Sequence, residues 1–485
     1  MLRSVASHAS YCEFLQSGFS SLSYSDQKRF EKDKSLKSAA WRLKKLNLDP
    51  AKEIFLSHYS QTGGRPARDP TITFRSFILM QRLKFTSIEL WCERIASDPL
   101  CQLLIGSYDV PGLACHYDFI NRFMHVDPHL DELYSKDVFS KKNKQKLKKN
   151  EKWENFTDED TNTLKEKYWN GAADDNARIS MAIEQIFQLV AVSPSINLGL
   201  IEKENGVFSG DGSALHIHSN HFGNKVDNPA DDQHSHRYTA PDADIGWDSD
   251  LGSWYLGYSL YNISYHNSQR SIDLPVYLTL QYASTHDALT TITATARWLD
   301  LNPFLKPKYM CFDSAMDAYN IYEYLRHNNI IPIIDWNKRH SGSKNPYAEY
   351  EGINENGVPV CMAGFEMVYD GYDNSKKAAK YRCPFKMGKV ESCPCQSLCS
   401  PSPYGRVIKT YDRTNYKLFS PVPYHSKLWL EIYKNRTCTE RINNRILNDY
   451  GLHKMRIRNR SKNFFFTILA GINIHLDAWA KCSKD

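Results

Sequence analysis

Hydrophobic residues early in the chain recur at the three- and four-residue spacing of helices: Ile78, Leu79, Leu83, Phe85, Ile88, Leu90, Trp91 and Ile95. The pattern predicts an all-helical region over 1–130. A loop, Gly63-Gly-Arg-Pro66-Ala-Arg68-Asp-Pro70, breaks it and displays Arg65 and Arg68. Helical spacing returns over 177–192, with Pro194 expected to close it. From Gly206 the apolar runs shorten and fill with β-branched and aromatic residues, including Trp254-Tyr-Leu-Gly-Tyr-Ser-Leu260 and Leu274-Pro-Val-Tyr-Leu-Thr-Leu280. Three strands in series are expected here, then a helix over 288–299, a strand over 309–312, a helix over 315–327 and a strand over 330–334. That order is mixed α/β, with later crossovers long enough for parallel pairing. Glycines, prolines and cysteines then interrupt it, and a helix over 427–450 resumes it.

The expected organisation is therefore a helical region (1–130), a charged linker with a connecting helix (131–200), the first part of an α/β core (201–345), a cysteine-rich insertion (346–410) and the rest of the core (411–485). The longest apolar stretch, 464–474, contains Thr467 and Asn473 and falls short of the roughly 18 residues a membrane span needs. The first residues lack a secretory apolar run, so a cytoplasmic location is expected.

A net charge of +6 over 485 residues is too modest to announce a polyanionic partner by itself. Its distribution says more. Eight lysines face two acids between Lys136 and Lys152, and Lys454-Met-Arg456-Ile-Arg458-Asn-Arg460-Ser-Lys462 contains no acid. The first run reads as a solvated linker or as a phosphate-contacting segment.

Three acids end or follow segments of regular structure. Asp211 closes the apolar run Gly206-Val-Phe-Ser-Gly-Asp211, in which small residues would let the backbone crowd a ligand. Asp313 closes Tyr309-Met-Cys-Phe-Asp313. Glu440 lies in Tyr433-x2-Arg436-x3-Glu440, whose spacing sets three side chains on one helical stripe. If the first and fourth strands are parallel neighbours, Asp211 and Asp313 reach the same sheet edge, where α/β proteins place their sites. Magnesium takes oxygen ligands and keeps several waters, so three carboxylates could hold two ions for in-line displacement at phosphorus. Asp317 and Asp335 are rival ligands, and singly such acids are common turn residues.

Cys383-x9-Cys393-x-Cys395-x3-Cys399, with Cys361 upstream, offers thiols for a structural zinc that would let a loop-rich insertion fold without a large core; free thiols are the other reading. His216, His218, His234 and His236 read as polar loop histidines rather than as a metal site. Trp254, Trp298 and Trp336 read as core residues, with base stacking as the functional alternative.

Taken together, Ser209-Gly-Asp211-Gly-Ser213, Trp254-Tyr-Leu-Gly257-Tyr258, Cys311-Phe-Asp313-Ser-Ala-Met-Asp317 and Tyr433-x2-Arg436-x3-Glu440 resemble the DDE transposases of bacterial insertion sequences. The last segment is similar to their YREK signature. The resemblance implies a ribonuclease-H-like catalytic core with a cysteine-containing insertion, preceded by a helical DNA-binding region. It implies that Asp211, Asp313 and Glu440 are catalytic and hold Mg²⁺ or Mn²⁺, as two ions. Tyr433 and Arg436 would contact phosphates near the scissile bond, and Arg65, Arg68, Arg456 and Arg458 would bind DNA elsewhere. The implied partners are terminal inverted repeats and target DNA, bound by a homodimer in the synaptic complex. One departure stands out: the signature's lysine falls at Leu447, with Arg445 near but off register. A related nuclease or DNA-binding regulator, and a zinc-stabilised interaction protein with structural acids, are the competing readings.

Overall fold

A computed structural model describes residues 4–60, 62–63, 66–124, 176–220, 224–225, 236–237, 239–240, 242–337, 352–395 and 398–483. Arg65, His234 and the lysine run 136–152 lie outside these. The helical expectation for the first region holds: α1 (His8–Ser21), α2 (Tyr24–Lys32), α3 (Lys34–Lys45), α4 (Lys52–Ser57), α5 (Pro70–Arg82), α6 (Ile88–Ser97), α7 (Pro99–Ile105) and α8 (Leu113–Met124). Helix α5 starts where the sequence says it should. Pro70 occupies its first turn, and the Asp69 side chain accepts from Thr71 N. It is apolar on several sides, with Phe74, Phe77, Ile78 and Leu79 fully buried, because other helices surround it.

Pro194 does not end the next helix. After α9 (Asn176–Phe187) a five-residue π turn, Gln188–Val192, leads into α10 (Ser193–Asn197), and Pro194 sits in the first turn of α10. Val192 and Ser193 keep helical dihedrals, so the helical path continues through Pro194, which falls where the π turn has already shifted the backbone bonds.

The sheet contains β1 (Val207–His216), β2 (Asp244–Asp248), β3 (Ser253–Asn267), β4 (Ile272–Tyr282), β5 (Tyr309–Phe312) and β6 (Ile331–Ile334). Its order is β2-β3-β1-β5-β6, with β4 also pairing β3. The pairs β1–β3, β3–β4 and β2–β3 are antiparallel, whereas β1–β5 and β5–β6 are parallel. The strand series expected from sequence is present, with the short β2 added. Helix α11 (Asp287–Leu301) crosses from β4 to β5, and α12 (Tyr319–His327) from β5 to β6. A separate three-stranded antiparallel sheet, β7 (Val368–Asp373), β8 (Ala378–Arg382) and β9 (Val407–Tyr411), forms the insertion. The chain then returns through α13 (Lys427–Tyr433), a 3₁₀ turn (Lys434–Arg436), α14 (Thr437–Asn444) and a π turn (Arg445–Asp449) to α15 (Arg460–Cys482).

Helix α15 joins the helical region to the sheet. The apolar stretch 464–474 lies within it, and no described helix is long and apolar enough to cross a membrane. Phe465 and Phe466 pack edge-on against Phe77, at 5.1 and 5.7 Å between centroids, while His475 meets the Pro275 carbonyl of β4 at 2.8 Å. Near its end Asp477 accepts from Arg42 of α3, Arg82 of α5, Arg445 and Tyr450. One hydrophobic core runs from α1 to the sheet as a result.

Candidate active site

Strand β1 pairs with β5 only as far as Ser209↔Cys311. Continuing that register sets Asp211 level with Asp313 on neighbouring parallel strands, and the two-residue side-chain period turns both carboxylates to one face. Asp211 does not end its strand. It is the fifth of ten residues in β1, which continues to His216 against β3 alone. Asp313 directly follows β5, and its carboxylate caps the next turn by accepting from Ala315 N at 2.9 Å.

The flanking glycines make room for side chains rather than for a ligand. A Cβ at Gly210 would lie 2.6 Å from the Phe312 ring, and one at Gly212 would lie 2.7 Å from Asp287 Oδ1. Asp287, the first residue of α11, is thus drawn against the strand that carries Asp211. Sequence reasoning missed it. The available signal was an acid at a helix start just after the third long strand.

Glu440 reaches the acids because α14 is fastened to the sheet. Cys438, Thr439 and Ile442 are fully buried on its inner side. Asn443 Oδ1 accepts from Asn262 of β3 at 2.7 Å, and Asn262 is the cross-strand partner of Asp211. Arg441 grips Asp273 at 2.6 and 2.9 Å. The segment 433–440 is not a uniform α-helix, since a 3₁₀ turn tightens it before Thr437, yet the stripe survives. Arg436 lies 6.0 Å from the Tyr433 ring, 2.6 Å from Glu440 Oε1 and 3.6 Å from Asp211 Oδ2. The intrahelical Arg436–Glu440 pair therefore forms without removing Arg436 from the acids.

Negative charge is in excess at this edge. Burial first, and then the neighbouring Asp313, push Asp211 up to about 8, with Asp287 and Glu440 adding to the rise and Arg436 opposing it. Burial also raises Asp287, with Asp313 contributing. Four carboxylates thus share one close arginine, a donor set of hard oxygens that suits Mg²⁺ and that a divalent cation would relieve. No three described Asp, Glu, His or Cys side chains already form a metal cage. At the acids, Arg436 occupies the space between Asp211 and Glu440.

The other sequence candidates separate clearly. Tyr433 is stacked on Trp429 at 4.5 Å, and burial raises it to about 12. Arg68 pairs with Asp109 at 2.6 Å and donates to the Val110 carbonyl, fastening its loop. Arg456 and Arg458 are exposed, just after the turn where His218 meets the His453 carbonyl at 2.7 Å and His453 meets the Ala214 carbonyl at 3.3 Å. The turn at His453 therefore meets β1 at Ala214, roughly 10 Å along the strand from Asp211, and the basic run leads away from it, Arg460 lying over the Tyr282 ring and Lys462 over the Tyr117 ring of α8.

Asp317 and Asp335 have structural partners. Asp317 pairs with Lys417 at 2.7 Å, and Asp335 accepts from Tyr424 at 2.6 Å. His216 pairs with Asp248 at 2.7 Å, and His236 lies in a two-residue ladder. Trp298 is buried against Phe208, and Trp336 stacks on Tyr424 at 3.9 Å. Trp254 corrects the core expectation. It is 71% exposed and meets Trp247 edge-on, because β3 outruns β1 and its first residues pair with β2. Leu447 is buried in the core, and Arg445 is spent on Asp477.

No family model and no curated protein matches the chain. Among solved structures it is similar to a piggyBac transposase in a synaptic complex with hairpin DNA, with a TM-score of 0.32 and 10% identity, over 94% of this chain and 74% of that one. A likeness so distant carries no argument about the site.

Proposed function

We propose that the protein is a DNA transposase of the DDE type, built on a ribonuclease-H-like core, that cuts at transposon ends and joins them to target DNA. The observation that carries the proposal is the shared level of Asp211 and Asp313 on the parallel pair β1–β5, with Glu440 delivered beside them by α14. The strand order β4-β3-β1-β5-β6, three antiparallel strands followed by two parallel ones, supports the core assignment.

Asp211, Asp313 and Glu440 would hold Mg²⁺, as two ions, which supplies activation of the attacking oxygen and stabilisation of the leaving one. Arg436, already turned toward the carboxylates, presents its guanidinium to a phosphate entering the site. Arg456 and Arg458, exposed on the chain that leads toward α8, would neutralise phosphates of DNA beyond the cleaved bond. Cleavage and joining are both in-line displacements at phosphorus, first by water and then by the freed 3′-hydroxyl, so one site serves both. Two ends must be handled together, so a dimer assembled on DNA is proposed.

The test begins by sequencing the DNA on either side of the gene for inverted repeats, whose absence would count against the proposal, and incubates oligonucleotides carrying them with Mg²⁺ for resolution on a denaturing gel. Nicking at the repeat end is expected, and it disappears in Asp211→Asn, Asp313→Asn and Glu440→Gln. Undiminished nicking in these variants would sink the assignment. A second reading, a related nuclease or a DNA-binding regulator, is favoured by Leu447 and Arg445, which leave α14 without the signature's basic contact. Cutting without end joining, or binding without cutting, would select it.

A further inference from the structure

The insertion has little with which to hold itself together. Among its described residues, the buried core is Met367, Ala379 and Tyr381, with Val358, Tyr369, Tyr372 and Ile408 partly buried around them. So small an apolar cluster does not ordinarily offset the cost of ordering several tens of residues. Yet its loops close on one point. Cys361, Cys383, Cys393, Cys395 and Cys399, none of them in a disulfide, all line a single pocket, with Lys386 and Arg406 also in its walls.

The backbone around these thiols is built into tight turns. Cys361 N donates to the Phe365 carbonyl at 2.9 Å, and Gly364 N returns to the Cys361 carbonyl at 2.8 Å. Met387 N donates to the Cys383 carbonyl at 3.1 Å, and Cys399 N to the Cys395 carbonyl at 2.9 Å. Gly405 allows the last loop to seat against the pocket. Its φ is +74°, and a Cβ there would lie 2.7 Å from Cys383 Cβ and 3.2 Å from Sγ. Cys383 N completes that contact on the Arg406 carbonyl at 3.0 Å.

We infer that this pocket binds one zinc ion through four of its five thiols, independently of the carboxylate site and of the reaction proposed there. Thiolates select a soft divalent cation, whereas the four acids at β1 and β5 offer only oxygen. The thiols line the pocket without any three described ones converging at ligand distance, so zinc binding requires the cysteine turns to draw inward. Four thiols release four protons to solvent, and the resulting site carries a net charge of −2 that Lys386 and Arg406 offset. Tetrahedral zinc leaves one of the five unused. The ion fixes the insertion that precedes the helix bearing Glu440, since Arg326 of α12 donates to the Tyr372 hydroxyl (3.3 Å) and the Tyr369 hydroxyl to the Pro421 carbonyl (2.7 Å), tying β7 to its surroundings.

The experiment uses the full chain purified without added metal. Elemental analysis is expected to give one zinc per chain, and cobalt exchange to give the thiolate charge-transfer and d–d absorption of a tetrahedral sulfur site. Among five single Cys→Ser variants, four should lose the metal and one should keep it. Alkylation of the unaltered protein followed by mass spectrometry covers the case in which those variants fail to fold. The site thiols should be protected until a zinc chelator is added, whereas exposed Cys115 reacts throughout. Absence of zinc together with no cobalt–thiolate absorption after reduction and reconstitution overturns the inference, as does zinc retained in the Cys383→Ser/Cys399→Ser double variant. Neither readout depends on DNA cleavage.

Discussion

Two aspartates in this protein occupy opposite electrostatic settings. Asp477, on the last helix, is surrounded by Arg42, Arg82 and Arg445 and accepts from Tyr450; burial works to raise its pKa, but Arg82 and these other partners hold it below the usual carboxylate range. Asp211, in mid-strand, faces Asp313, Asp287 and Glu440 with one nearby arginine and is driven up to about 8. The first setting surrounds one carboxylate with an excess of cations, which holds it ionised and stabilises the junction of helices and sheet. The second leaves charge unbalanced, which costs stability and creates a demand for a cation. Such opposed settings are how a fold separates its structural acids from its chemical ones.

The largest way to break that contrast is Asp477→Asn. It leaves three guanidinium groups facing one another across a partly buried junction, and a loss of about 3 kcal/mol or more in unfolding free energy is expected from denaturant titration. A loss below about 1 kcal/mol would mean that the arginines are well solvated without it. Asp211→Asn should behave in the opposite sense. A carboxyl with a raised folded pKa contributes stability fully only below its unfolded value near 4 and loses it as pH rises toward 8. The variant should therefore gain on the parent by a few kcal/mol at most as pH climbs from 5 to 8, read from thermal melts without added divalent ions. Asp477, with its depressed value, makes its contribution above about pH 4 and loses it only below that. A pH-independent difference between Asp211→Asn and the parent would contradict the crowding of acids at β1.

Smaller effects sharpen the picture. Asp287→Asn is expected to lower the rate of DNA nicking by roughly 10- to 100-fold with little change in melting temperature, the scale of groups that orient metal ligands. A rate equal to the parent's would make Asp287 a helix-start acid and nothing more. Arg68→Ala should change unfolding free energy by less than about 1 kcal/mol, since its ion pair with Asp109 is solvated. A marked fall in binding of the repeat oligonucleotide with that small stability change would restore Arg68 to a DNA-facing role.

The sheet was legible in the sequence because its strands are separated by turns and by helices of different period, so 309–312 could be bounded to the residue. The level placement of Asp211 and Asp313 followed from the same order. What was hidden depends on distant packing. Asp287 meets β1 only because Gly212 lacks a Cβ, and Trp254 is bare only because β3 extends past its neighbour. The engagements of Arg68 and Arg445 join residues far apart in the chain. The pitch changes around α14 leave no trace in apolar spacing, because the segment remains right-handed throughout.

The π turn at Arg445–Asp449 carries a consequence of its own. By adding a residue to the last turn after α14, it carries Tyr450 round to the aspartate that also receives Arg445, Arg42 and Arg82. Asp477 is thereby a joint shared by three levers: α3, α5 and the end of the segment that carries Glu440. Asp477 thus lies on a direct chain of polar contacts from the N-terminal helices to the segment that carries Glu440. A ligand on those helices and a cation at the acidic edge would, if this joint transmits strain, alter each other's affinity by the same factor.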